Sequence, residues 1–210
     1  MSVEQRFGGI RRLYGVNAFH YFTQAHVCIV GIGGVGTWAA EALARSGIGR
    51  ITLIDMDDIC ITNVNRQVHA LDGNIGQAKV DAMAQRIKLI NPDCQVDCIE
   101  DFITPDSVQE HLGKGYDYVI DAIDSIKPKA AMVAWCKRNK VKLITIGGAG
   151  GQVDPSKVLV DDLARTEEDR LAAKLRNYLR RNYNFSRNPK RRFDIDCVYS
   201  TEQLRYPLAD

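Results

Sequence analysis

Residues 27–58, VCIVGIGGVGTWAAEALARSGIGRITLIDMDD, constrain the fold of this chain more than any other stretch. A strand-length apolar run meets a turn with Gly31, Gly33, Gly34 and Gly36, then a helical stretch, then a second apolar run ending in aspartates. Strand, glycine turn, helix and strand in this order make one crossover unit of a parallel sheet. Further candidate strands follow at 95–100, 117–123 and 142–147, with helical patterns near 35–46, 77–90, 105–112 and 127–139. Apolar strands alternating with amphipathic helices predict a doubly wound, Rossmann-like α/β fold with a mainly parallel sheet. Two short amphipathic helices lead into it over residues 1–25.

The reading is of a single domain spanning 1–210, with a nucleotide-binding core at 27–151 and a modified last third at 152–210. In that third, KVLVDDL (157–163) reads as a strand leaving the sheet, and EEDRLAAKLRNYLRRNY as a basic helix. NFSRNPKRR reads as a polar loop and FDIDCVYS as a short strand. The chain stops at RYPLAD, as at the edge of a longer protein. With 210 residues, 45% of them hydrophobic, it can bury a sizeable core.

The net charge of +2 commits the protein to no global electrostatic partner. Its distribution is uneven, however. Residues 170–193 carry nine Lys or Arg and no acid, leaving the remainder with a net charge of −7. None of the six cysteines forms a CxxC pair, which argues against a zinc ribbon or a dithiol redox site. Cys94 and Cys98 are expected on one face, and Cys197 as a buried thiol rather than a nucleophile. No signal peptide is evident, and no apolar run reaches the roughly 18 residues of a bilayer span. A cytoplasmic location follows as the expectation, with membrane attachment through a missing C-terminal part left open.

The glycine turn is a phosphate cradle: side chains are absent where a phosphate must approach, and helix N-terminal amides point at it. Asp55, at the end of the second strand, is placed to bind ribose hydroxyls. A nicotinamide-dependent oxidoreductase would fit these residues, yet it requires neither Gly34 nor the acid cluster Asp55, Asp57 and Asp58. The next loop, ITNVNRQVHA, crowds Asn63, Asn65, Arg66 and Gln67 at the carboxyl edge of the sheet. Lys79 adds a second cation. Such a group suits a nucleotide with a leaving pyrophosphate better than a dinucleotide. Asp121 and Asp124 close the fourth strand, where a carboxylate can hold Mg²⁺. Asp124 is the choice for the metal and Asp121 for a structural or nucleotide role, unless one of them caps the following helix. His69 should pack or cap near the nucleotide loop, and Trp38 and Trp135 read as core.

The motifs GIGGVG, DMDD, TNVNRQ, GQAK and DAID, in that order, resemble the E1-like activating family of ThiF, MoeB and the ubiquitin-activating enzymes. The resemblance implies a site that binds ATP and Mg²⁺ and adenylates a carboxylate, with a monovalent cation as a further candidate. Sulfur-carrier and ubiquitin activators commonly carry paired CxxC zinc ligands, which are missing up to residue 210, so no zinc is expected. It implies that Gly33 and Gly36 line the phosphates, Asp55 binds ribose, Arg66 and Lys79 neutralise the phosphates, and Asp124 takes the metal. Arg6 or Arg12 would correspond to the arginine that these enzymes lend to a neighbouring subunit, making the protein a homodimer.

RFGGIRRLYG, DMDDICITNVNRQ, INPDC, VIDAIDSIKPKAA, GGAGGQVDP, LAAKLR and DCVYSTE are similar, more narrowly, to the branch of that family that dehydrates threonylcarbamoyladenosine in tRNA. That branch activates the threonyl carboxylate beside the anticodon, and a group within the modification closes a ring. It suggests sulfur-transfer proteins as further partners, and no DNA. Lys174, Arg176, Arg180, Arg181, Lys190, Arg191 and Arg192 are then candidates for tRNA phosphates. Tyr178, Tyr183 and Phe185 are expected in the apolar packing rather than on bases. The alternative within the family is adenylation of a small sulfur-carrier protein.

Overall fold

The computed structural model describes residues 3–206 and divides into two compact units. The first comprises residues up to Phe102 together with Tyr116–Ala122. It contains α1 (Val3–Tyr14), α2 (Val16–Gln24), β1 (His26–Val30), α3 (Gly36–Arg45), β2 (Arg50–Ile54), α4 (Lys79–Ile90), β3 (Gln95–Ile99) and, after an excursion into the second unit, β4 (Tyr118–Asp121).

The four strands of this unit pair in the order β3-β2-β1-β4, all parallel. Strand β1, HVCIV, is apolar along almost its whole length because both its faces are covered. Ile29, Ile51 and Leu53 cluster with Ala40 and Ala44 of α3 and Val80, Met83 and Ile87 of α4. At 25 cal/mol per Å², fully burying each large aliphatic side chain contributes about 1.5–3 kcal/mol. The small alanines let α3 approach the sheet. β1 has β2 on one side and β4 on the other, so the strand order reverses there. In open α/β sheets a ligand crevice forms at that point, outside the carboxyl ends of the strands.

The second unit holds residues 103–115 and 123 onwards. It is built of α5 (Val108–Leu112), α6 (Ile126–Asn139), β5 (Leu143–Ile146), β6 (Val158–Asp162), α7 (Arg170–Asn182) and β7 (Asp196–Ser200). β5 pairs parallel to β7, while β6 pairs antiparallel to β7 from Val158↔Ser200 to Asp162↔Asp196. The 157–163 segment is therefore not a strand leaving a sheet. Its alternating partners on β7 keep it in one, as the edge strand. Helix α7 buries Ala172, Leu175 and Leu179 and packs on α6.

Three buried carboxylates organise this unit. Asp162 accepts hydrogen bonds from the backbone N–H groups of Ala164 (2.8 Å), Phe193 (2.9 Å) and Asp194 (2.7 Å). Asp169 caps α7 through Ala172 N–H (2.7 Å) and also accepts from Gly148 N–H (2.8 Å). Glu202 accepts from the N–H groups of Val153 (2.9 Å) and Asp154 (2.8 Å). Each satisfies donors of irregular backbone that burial would otherwise leave unpaired.

All six cysteines are unbridged. Cys94 is buried in the turn before β3, clustered with Val80, Met83 and Ile87 of α4, and the more exposed Cys98 donates its thiol to Val80 O (3.5 Å), so both lie toward α4, as expected of one face. Burial pushes the Cys94 thiol up to about 11. Cys197 is buried within β7, as expected. No helix among the described residues is long and apolar enough to cross a membrane.

Candidate functional site

The site is assembled at the carboxyl ends of β1, β2 and β4, all in the first unit. Leaving β1, Gly31 has φ +89°, which glycine adopts without the Cβ penalty, and its N–H donates to Ile54 O (2.9 Å). The chain then turns into α3, whose first residue, Gly36, lies so close to the Gly31 carbonyl that a Cβ there would meet its oxygen at 1.8 Å. Gly36 is thus fixed by close approach of helix to turn. Gly33 differs: a Cβ at that position would find nothing within 4 Å. Helix α3 has no side-chain N-cap and no acid in its first turn. Thr37 N–H donates to Gly33 O (3.1 Å), and the positive dipole end of the helix is open to an anion.

Asp55 follows β2. Its carboxylate accepts from Ile32 N–H (2.6 Å) and from Asp57 N–H (2.9 Å), locking the glycine turn to the end of the neighbouring strand. Lys79 opens α4 and is buried; its ammonium donates to Asp57 (2.7 Å) and stands 3.9 Å from Asp55. A lysine of this kind would ordinarily be a solvated helix residue. Here it is held between two carboxylates, which relieves the cost of burying its charge.

The loop between β2 and α4 lies over the glycine turn. A Cβ at Gly34 would lie 3.1 Å from the Cγ and Cδ of Arg66, so this side chain runs directly across the turn. The Arg66 guanidinium is exposed and donates to Thr62 O (3.1 Å) and Asn65 Oδ1 (3.0 Å). Asn63 is buried and accepts from Cys60 N–H (3.0 Å), capping the 3-10 turn Ile61–Asn63; its work in this state is structural. Gln67 is buried with its Oε1 unpaired among the described residues. His69 is buried as well, and its Nε2 lies 3.2 Å from Ile32 O.

Trp38 corrects an expectation. It is not core: the residue is 54% exposed, and its indole N–H donates to Arg66 O (3.0 Å). Its position on α3 faces the Arg66 loop, which it fastens to the helix. Trp135 is partly buried on α6.

Asp121 ends β4 opposite Val30 of β1 and is fully buried. Asp124 is exposed and belongs to the second unit, ahead of α6. That helix starts at Ile126, and its N-cap residue, Ser125, makes no side-chain capping hydrogen bond. Among the described residues no three His, Cys, Asp or Glu gather as a metal group. Mg²⁺ does not demand one, since one or two carboxylates with phosphate oxygens and water satisfy it.

Arg6 donates to Ile90 O (2.9 Å), at the far end of α4 from Lys79. Eleven residues at 1.5 Å each put it about 16 Å along the helix from the cluster around Asp55. Arg6 therefore stands away from the Asp55 cluster. Arg12 is exposed on α1.

The seven basic candidates of the last third divide in two. Arg176 bonds Thr166 Oγ1, Arg180 donates to Ser186 O (3.2 Å) and lies over the Phe193 ring, and Arg192 sits 3.6 Å from buried Asp162. These three already have partners inside the unit. Lys174, Arg181, Lys190 and Arg191 are exposed, as are Arg187 and, despite its ion pair, Arg192. The aromatics pack as expected, Tyr178 against Tyr183 and Phe185 edge-on to Phe193.

Sequence reasoning missed Asp162, Glu202 and the buried Lys129, whose ammonium donates to Ile123 O (2.8 Å) next to Asp124. It also missed Asp169, although an aspartate directly before an apolar-periodic run is a recognisable helix start.

Known proteins resemble this chain in sequence and in fold. The model of the ThiF family matches residues 10–189. The chain is 59% identical over 206 residues, 98% of its own length and 77% of the relative's, to the tRNA threonylcarbamoyladenosine dehydratase of Escherichia coli. It superposes with TM-score 0.95 on the crystal structure of that species' dehydratase, TcdA, in complex with ATP, covering 97% of this chain and 84% of that one at 59% identity. The sulfur carrier protein ThiS adenylyltransferase of E. coli is 32% identical over 131 residues, 61% of this chain and 52% of that protein.

Proposed function

The chain belongs to the ThiF family, and from that premise we propose that it dehydrates threonylcarbamoyladenosine in tRNA, using ATP to activate the threonyl carboxylate. The observation that carries the reading is the clamped glycine turn of β1 and α3, with Asp55, Lys79 and Arg66 around it, in a chain 59% identical to that dehydratase throughout.

In the first step a carboxylate oxygen of the substrate attacks the α-phosphorus of ATP and pyrophosphate leaves in line. In the second, a nucleophile within the modification attacks the acyl-adenylate carbonyl, closing a ring and releasing AMP. The substrate loses the elements of water, which ATP cleavage to AMP and pyrophosphate takes up. The protein supplies position and charge. The uncapped N-terminus of α3 and the open face at Gly33 would receive phosphate oxygens. Arg66, already laid over the turn, would swing its exposed guanidinium from Thr62 O to the pyrophosphate. Asp55 would accept from the ribose hydroxyls, and Lys79 offsets its charge. Asp124 would hold Mg²⁺, which supplies charge neutralisation to the phosphates when bound.

The exposed Lys174, Arg181, Lys190 and Arg191 are the contacts we assign to tRNA phosphates. A homodimer, in which Arg6 or Arg12 serves the neighbour's site, and sulfur-transfer partner proteins belong to the same proposal.

AMP release with Mg²⁺-ATP, measured beside tRNA carrying the modification and tRNA lacking it, tests the reading. AMP formed only with the modified tRNA is the expected result. Pyrophosphate exchange that ignores tRNA but responds to a small protein ending in Gly-Gly would replace it with carrier-protein activation.

A further inference from the structure

We infer that His69 is a positioning residue of the nucleotide site: with Asp55 it clamps the two peptide groups that flank the Ile32 Cα and so sets the glycine turn for phosphate. The inference rests on the nucleotide reading of that turn and goes beyond it. Ile32 N–H donates to Asp55 Oδ2 at 2.6 Å, and the carbonyl of the same residue faces His69 Nε2 at 3.2 Å. A carbonyl oxygen only accepts, so Nε2 carries the proton and the ring is the Nε2–H tautomer. Nδ1 is then a bare acceptor; it is buried and has no hydrogen-bond partner among the described residues.

The residue is 1% exposed, and its burial is deep enough that a purely apolar side chain would have served a packing role better. What the imidazole adds is one donor aimed at the turn. Ile32 sits between Gly31, which has φ +89°, and Gly33, whose open face is the phosphate side. With little side-chain restraint on either flank, that turn depends on hydrogen bonds for a fixed orientation: Gly31 N–H to Ile54 O and Thr37 to Gly33 O hold its ends, and the two bonds at Ile32 hold its middle. Preorganised amides are worth most when they need no rearrangement on binding.

The charged groups facing His69 are Lys79, Asp55 and Arg86. A second proton on the ring would land on Nδ1, where there is no acceptor, beside two cations and one carboxylate. Burial, with those cations, holds the imidazole below its ordinary value of 6.5. Its neutral form is therefore the working one.

His69→Leu and His69→Gln separate packing from positioning. Leucine fills the space without a donor, whereas the glutamine amide restores an N–H toward Ile32 O. The readouts are ATP affinity by calorimetry with Mg²⁺, the melting temperature, and the KM for ATP against kcat from pH 5 to 8. His69→Leu should weaken ATP binding about fivefold, the worth of one neutral hydrogen bond, through KM rather than kcat. His69→Gln should stay within about twofold of wild type. The wild-type melting temperature should fall as pH drops below 6.5, because the unfolded chain takes up the proton that the buried ring resists, and His69→Gln should lessen that fall while keeping Lys79, Asp55 and Arg86. Equal weakening by both variants, no weakening by His69→Leu, or an unchanged acid dependence in His69→Gln would each overturn the inference. The last comparison holds even if His69→Leu fails to fold. A wild-type protein that binds no ATP would overturn the nucleotide reading and this inference together.

Discussion

Gly33 and Gly36 lie three residues apart in one turn, and the structure assigns them different duties. An alanine methyl at Gly36 would sit 1.8 Å from the Gly31 oxygen and 2.9 Å from its carbonyl carbon. It must retreat by about 1.2 Å to reach the 3.0 Å floor of real Cβ contacts, and both neighbours are backbone that cannot rotate away. Overpacking of this kind costs about 1–3 kcal/mol, or about 2–12 °C of melting temperature for a chain of this size. The helical propensity gained on replacing glycine offsets under about 1 kcal/mol of it. Because α3 must move off the turn, its N-terminal amides leave the phosphate position, and a displacement near 1 Å is worth about 10²-fold in catalysis. At Gly33 the methyl meets nothing, and its φ is not positive, so Gly33→Ala should melt within about 1 °C of wild type. It should nevertheless weaken ATP about tenfold or more, because the methyl occupies the space offered to phosphate oxygens. Differential scanning calorimetry and ATP titration on the two variants decide the matter. A Gly36→Ala protein as stable as wild type, or a Gly33→Ala protein that binds ATP normally, would refute the reasoning.

Asp162→Ala strands four backbone donors, that of Ile195 (3.4 Å) being the longest, and should cost about 3 kcal/mol, lowering the melting temperature by about 6–12 °C in a thermal scan. Burial tends to raise the Glu41 carboxyl, but hydrogen bonds from Arg86 (2.5 Å) and Arg45 (2.8 Å) hold it below its ordinary 4.5. A depressed carboxylate contributes stability that is present above 4.5 and is lost as pH falls through its folded value. Glu41→Gln should therefore lower the melting temperature at pH 7 and flatten its fall on acidification. Each of Lys174, Arg181, Lys190 and Arg191 changed to alanine should reduce the slope of log affinity for tRNA against log salt by about 0.7–0.9, with no loss of stability. Arg180→Ala should instead destabilise the second unit, since it gives up Ser186 O and the face of Phe193.

The strands and helices of the first unit were legible because burial on both faces forces unbroken apolar runs, and the glycine turn announces where β1 becomes α3. Asp55 and Lys79 were legible as candidates for the site for the same reason: each stands at the edge where an element begins or ends. Their hydrogen bonds to Ile32 and Asp57 were not, since they depend on which loops the folded chain brings together. Trp38 misled because a large aromatic on a helix usually faces the core, whereas here an indole N–H partner 28 residues away holds it outside. Asp162 lay hidden in a run of two aspartates at the end of an edge strand. Nothing local distinguishes the one that turns inward to collect the N–H groups of residues 193 and 194. The basic segment was visible as a charge imbalance, but only the fold separates arginines that stack or bond within the unit from those that face solvent.

The most direct test of the proposed function is mass spectrometry of nucleosides from tRNA bearing threonylcarbamoyladenosine, after incubation with the protein and Mg²⁺-ATP. The account predicts that the modified nucleoside loses one water, that this requires ATP, and that it falls sharply with Arg66→Ala. A modified nucleoside unchanged in mass while AMP accumulates would contradict it.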